Sequence, residues 1–307
     1  MDARKRRVRL NGLQGVNVAA ITPRGKQGDV DFGATFELID HLCSAGVNGI
    51  ALFTPWGEFP AVSVEERARL TYLAAKRSRV PVLVGVGAGS LEQSVALARE
   101  AAVAGAAALL VPPPYFFHYQ QEEIKEFYLQ FARRIGSGPA VFLSNAPSVT
   151  SEISVETTLA LLETGKFEGI EDASGKPGLL DCFQGRIGSP AFVAGHDALF
   201  SPARAAGMPV ISAAASAAPE LVVSLDRAIA DDNGEAISRL DGLLREFVTW
   251  MEQFPQPVAI KAAAGLRGWK TGPLLVPLSA GKQKKLEEFR EWFQSWLPST
   301  RKLTAHA

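Results

Sequence analysis

Short, uninterrupted apolar runs alternate along the chain with longer stretches whose apolar residues recur every three or four positions. The runs cover 16–21, 49–53, 81–86, 108–111, 140–143, 167–171, 191–194 and 210–214. None alternates polar with apolar residues, so each reads as a strand buried on both faces. Between them the spacing predicts helices over 32–45, 64–76, 91–104, 122–135, 155–164, 178–185 and 198–206. An eighth, over 220–230, follows the last run. Ser63-Val64-Glu65-Glu66 and Ser90-Leu91-Glu92-Gln93 carry the hydroxyl and the acid or amide three residues on that satisfy orphan amides at a helix start. Gly46 and Gly105 stand where two of these helices should end.

Eight strand–helix units in succession mean a parallel sheet. Eight is also the closure number of the TIM barrel, and the span to residue 230 approaches the ~250 residues typical of that fold. An open doubly wound sheet would favour a glycine-rich phosphate turn after its first strand. That turn here reads Thr22-Pro23-Arg24-Gly25-Lys26, so a (β/α)8 barrel is expected. After residue 231 the strands stop and 235–254, 258–267 and 280–296 are helical, a C-terminal helical subdomain. The expected division is a flexible basic arm over 1–12, the barrel over 13–231, the helical subdomain over 232–298 and a tail over 299–307. Phe247, Trp250, Met251 and Phe254 form an apolar stripe that reads as core or subunit packing.

Composition narrows the function classes. The 307 residues include 32 Lys and Arg against 32 Asp and Glu, so no net charge draws the chain to nucleic acid or a membrane surface. No run reaches the ~18 apolar residues of a membrane helix. The basic arm (Arg4, Lys5, Arg6, Arg7, Arg9) is not followed by the apolar run of a secretory signal, and a cytoplasmic location is expected. Cys43 and Cys182 lack CxxC spacing and read as reduced, buried thiols.

In a barrel, chemistry gathers at the C-terminal strand ends. Those ends carry Thr54-Pro55-Trp56-Gly57-Glu58, Gly85–Gly89, Pro113-Pro114-Tyr115-Phe116, Ser144-Asn145-Ala146-Pro147, Glu171-Asp172-Ala173-Ser174-Gly175, Gly195-His196-Asp197 and Ser212. These motifs, with Pro257-Val258-Ala259-Ile260-Lys261-Ala262-Ala263, resemble the dihydrodipicolinate synthase / N-acetylneuraminate lyase family of class I aldolases, from residue 15 to 296. The resemblance implies a TIM barrel with a helical C-terminal subdomain, a homo-oligomer (a dimer or dimer of dimers) and a 2-keto acid or sugar-acid ligand. It implies no cofactor and no metal.

It also implies a Schiff-base lysine in the sixth strand, and that position is Glu171. A carboxylate cannot condense with a ketone. The position of the family's proton-relay tyrosine is Ser144, its carboxylate-holding threonine pair is Pro55 and Trp56, and the tyrosine it shares across a dimer is Phe116. The synthase branch's arginine position is Val149. These coordinated departures make pyruvate condensation by the family mechanism an unexpected activity for this chain.

Glu171 has three readings: a general base with a raised pKa, a metal ligand with His196 and Glu58, or the ion-pair partner of a basic residue lining the barrel. Ser144, Asn145, His196 and Ser212 are candidates to orient a ligand. Trp56 either stacks on that ligand or plugs the pocket. Lys176 is a possible substitute amine but reads as a solvated loop lysine, and Lys261 as structural. Gly85, Gly87 and Gly89 have phosphate-loop spacing without the lysine. A catalytically silent binding or scaffold protein is the alternative to a non-imine lyase.

Overall fold

The structure is a computed structural model that describes residues 13–183 and 191–304. The expected arm over 1–12 lies outside the described residues. Eight parallel strands close into a barrel: β1 (Val16–Ala19), β2 (Gly49–Leu52), β3 (Val82–Gly85), β4 (Ala108–Val111), β5 (Ala140–Asn145), β6 (Gly169–Asp172), β7 (Ala191–Ala194) and β8 (Val210–Ser212). Each pairs with the next and β8 returns to β1, so no edge is left open. Every strand residue except Ala191 is buried, which is why the runs show no polar alternation.

The helices α1 (Phe32–Ser44), α2 (Val64–Arg77), α3 (Leu91–Ala104), α4 (Gln121–Ile135), α5 (Val155–Glu163), α6 (Pro177–Phe183), α7 (Phe200–Ala205) and α8 (Pro219–Ala230) form the outer layer. The start of α2 is the capping box read from sequence: Glu66 N donates to Ser63 Oγ and Ser63 N donates to Glu66 Oε2, both at 3.1 Å. Gly46 and Gly105, at φ 88° and 91°, end α1 and α3 in the left-handed conformation only glycine adopts freely. Cys43 and Cys182 are free, as read, but half-buried instead of fully buried.

Two shifts from the sequence boundaries bear on the site. The second strand stops at Leu52 because Phe53 turns to φ 57°, and Glu58 adopts φ 55°. The residues between them wind into a 3-10 turn, Pro55–Gly57, above the barrel. The fifth strand runs to Asn145, two residues further than its apolar run, because Ser144 and Asn145 pair with Glu171 and Asp172 of β6.

The C-terminal subdomain is α9 (Gly234–Met251), α10 (Val258–Leu266) and α11 (Ala280–Thr304). Phe247 is fully buried among Phe289, Phe293 and Trp296, so the aromatic stripe is core packing as expected. The expected tail is corrected: α11 continues through Pro298 to Thr304. A proline inside a helix costs about 3 kcal/mol. Docking offsets this, since Thr300 is buried and donates to Trp296 O at 3.0 Å, while Ser224 Oγ of α8 donates to Thr304 O at 3.4 Å. Among the described residues no helix is long and apolar enough to cross a membrane.

Candidate active site

The register of β5 on β6 sorts the polar residues at the strand ends by face. Neighbours across parallel strands point the same way and successive residues point opposite ways. Ser144 therefore sits beside Glu171 on one face, and Asn145 beside Asp172 on the other. Ser144 Oγ donates to Glu171 Oε2 at 2.5 Å. The other oxygen, Oε1, lies against Gly195 at the end of β7, so closely that a Cβ there would sit 1.9 Å from it. Gly195 is thus a wall one backbone thick over the carboxyl.

Glu171 is only 5% exposed. Burial pushes its carboxyl up to about 7; the Ser144 hydrogen bond opposes the rise and the neighbouring Asp172 charge adds to it. Among the described residues no ion pair involves Glu171, so the structural ion-pair reading fails. The metal reading also fails in its stated form: Glu58 is held elsewhere, and no group of three or more His, Cys, Asp or Glu among the described residues is placed to hold an ion.

Several sequence candidates belong to the scaffold. Asn145 is corrected from ligand group to structural amide: its Nδ2 donates to Asp172 Oδ1 at 2.8 Å and its Oδ1 accepts from Ile153 N at 2.9 Å. Ser212 is corrected likewise. Its hydroxyl donates to Asp197 Oδ1 and accepts from Ala215 N at 3.0 Å, while Asp197 Oδ2 accepts from Ala213 N and Ala214 N. Glu58 is corrected to the partner of Lys261, whose Nζ lies 3.0 Å from Oε2 and 3.2 Å from Pro273 O. Burial lowers the Lys261 pKa, and Glu58 opposes that. Lys176 is a surface residue on Glu152 at 2.7 Å, as its solvated reading expected. Phe116 is 85% exposed and packs edge-on against Phe117, away from this chain's own cavity.

Above the floor lies a cavity of about 480 Å³ between the strand ends and the end of α9. Trp56, Val149, Val248, Met251, Phe254 and Pro255 form its apolar wall; Ser148, His196, Asp197, Glu252 and Gln256 are its polar groups. Trp56 is buried and lines the cavity. His196 accepts from Ala198 N through Nδ1 at 3.2 Å, and its Nε2 faces Glu252 Oε1 at 3.9 Å. Pro55 instead borders a separate void of about 10 Å³ shared with Thr54 and Ser144, room for about one water.

Thr54, part of a strand-end motif, and Arg67 have no role assigned from the sequence. Among the described residues Thr54 Oγ1, buried at that void, has no hydrogen-bond partner. A hydroxyl between a buried run and a proline was the available sign. Arg67, on α2, reaches inward and donates to Gly85 O and Gly87 O, both at 2.7 Å. Its guanidinium fixes the β3 loop, and close packing accounts for two of the glycines without phosphate binding: a Cβ at Gly85 would sit 2.1 Å from Phe53 O and one at Gly87 2.7 Å from Pro112. Burial lowers the Arg67 pKa to about 10. Nothing local in the sequence marked this contact.

A closed (β/α)8 barrel with polar residues gathered at its C-terminal strand ends is an architecture that barrel enzymes share. The chain belongs to the dihydrodipicolinate synthetase family, whose profile matches residues 12–295. An uncharacterized DapA-like lyase of Halobacterium salinarum is 32% identical over 271 residues, covering 87% of this chain and 88% of the relative. Dihydrodipicolinate synthase from Aquifex aeolicus superposes with a TM-score of 0.83 at 26% identity, over 92% of this chain and 98% of that one. The sialic acid aldolase of Ruminococcus gnavus shares the fold, with a TM-score of 0.82 at 20% identity, over 94% and 99% of the two chains.

Proposed function

We propose that the chain is a lyase-type member of its family that works by proton transfer at Glu171, without a Schiff base. The observation that carries this reading is the buried Glu171 carboxyl, pushed up to about 7, held by Ser144 and separated from the mouth cavity by the Gly195 backbone. Lyase, dehydratase and retro-aldol reactions each need a base to remove a proton as the substrate bond breaks. A carboxyl poised near neutrality can accept that proton and return it. Ser144 is the side chain that orients Glu171, and His196 is the polar group best placed on the cavity wall to orient a substrate.

The family resemblance, with Glu171 at the lysine position, supports the absence of an imine. The family's Tyr and Thr helpers would stand at Ser144, Pro55 and Trp56, and Pro55 has no N–H to offer a carboxylate. The exposed Phe116 and Phe117 support association with a second copy. One observation favours the silent alternative: the void at Ser144 is only about 10 Å³, too small for a substrate unless Pro55 or Phe59 moves. A panel of 2-keto acids, sugar acids and amines, assayed for turnover, separates the two. Activity that disappears in Glu171→Gln is the expected result. Turnover retained in that variant removes Glu171 from the mechanism, and no turnover with any substrate favours the silent protein.

A further inference from the structure

The charge of the mouth cavity disagrees with the ligand that family resemblance implies. No Lys or Arg lines it among the described residues. Its acidic lining groups are the exposed Glu252 and the buried Asp197, whose oxygens are taken by Ser212, Ala213 N and Ala214 N, and Glu171 lies directly behind Gly195. Lys282 is near the rim, over the Phe254 ring at 5.7 Å, but it donates to Gln253 O and is not part of the lining. A carboxylate entering this space would be desolvated among like charges, which is costly. Ser148 and Gln256 could give it neutral donors, and His196 is the one lining group able to carry a positive charge.

The same walls suit a cation. Glu252 is 58% exposed at the side chain and, among the described residues, its carboxylate has no closer cationic neighbour than His196 Nε2 at 3.9 Å, so it is available to an incoming donor. Trp56 and Phe254 supply aromatic surface, which attracts ammonium groups through the ring quadrupole. The remaining wall is aliphatic and would bury an apolar body.

We propose that the mouth cavity takes a ligand bearing an ammonium group on an apolar body, in place of the carboxylate-bearing ligand of the family. This rests on the reading that the cavity over Glu171 is where the ligand enters. Three probes of nearly equal shape test it: benzylamine, benzyl alcohol and benzoate, titrated calorimetrically into the wild-type chain at neutral pH. Benzylamine should bind about tenfold or more tighter than benzoate, and added salt should weaken it. Glu252→Gln should weaken benzylamine about fivefold, the worth of a partly screened pair, and leave benzyl alcohol unchanged. Val149→Trp, on the half-buried rim, should block the cavity and abolish binding.

Benzoate binding as tightly as benzylamine, no binding by any probe, or benzylamine binding that both variants leave intact would each overturn the proposal. The titrations involve no turnover and can be repeated in Glu171→Gln. A failure of the ligand class is therefore distinct from a failure of the proton-transfer role.

Discussion

Glu171→Gln removes a charge and keeps a shape, so it isolates the energetic consequence of burying this carboxyl. The folded-state pKa is about 7 against an ordinary 4.5. Between those values the folded chain holds a proton that the unfolded chain has released. Stability must therefore fall as pH rises through this window, and the part contributed by the neutral carboxyl is lost by pH 8. A shift of this size corresponds to about 3 kcal/mol. With unfolding entropy of about 2.1 cal/mol/K per residue, that is about 5 °C in the melting temperature of a chain this long. The assay is thermal melting of wild type and Glu171→Gln at intervals from pH 5 to 8. Asp197, another buried acid with a raised pKa, titrates in both proteins and cancels in the difference, whereas Asp172, whose charge helps raise Glu171, interacts with it and is part of the difference measured. Wild type should melt about 1 °C below the variant at pH 5 and about 5 °C below it by pH 8. A difference independent of pH would refute the reasoning, because the carboxyl would then titrate as it does in water.

Two other substitutions test the scaffold around it. Lys261→Met leaves Glu58 without its partner at the base of the Trp56 turn and should cost about 3–5 kcal/mol in denaturant unfolding; adding Glu58→Gln should recover much of the loss. Gly195→Ala places a methyl 1.9 Å from Glu171 Oε1, so the carboxyl must move. A crystal structure of that variant should show the Ser144–Glu171 hydrogen bond broken, and an unchanged bond would mean that the wall over the carboxyl yields more easily than its packing implies.

The barrel was legible because its strands are buried on both faces and its helices carry local start and stop signals, as Ser63 and Gly105 do. Glu171 was legible as an anomaly, a carboxylate in an apolar strand. Its partner was not fully assigned, since the Ser144–Glu171 bond depends on how β5 registers against β6, and register is a long-range property. Asn145 and Ser212 were misassigned for that reason: position at a strand end does not say which face a side chain takes. Glu58 and Lys261, 203 residues apart, meet only because the C-terminal helices fold back over the barrel mouth. Thr54 was passed over beside the more conspicuous Pro55 and Trp56, and its unpartnered hydroxyl is visible only once the void around it is.

The central claim is that the reacting position holds a carboxyl and that no lysine takes over as the amine. Lys176 is engaged on the surface by Glu152 and Lys261 is buried against Glu58. Borohydride reduction in the presence of pyruvate, followed by intact-mass and peptide mass spectrometry, tests this most directly. The account predicts an unmodified chain. A reduced pyruvate adduct mapped to Lys176, Lys261 or any other lysine would contradict it.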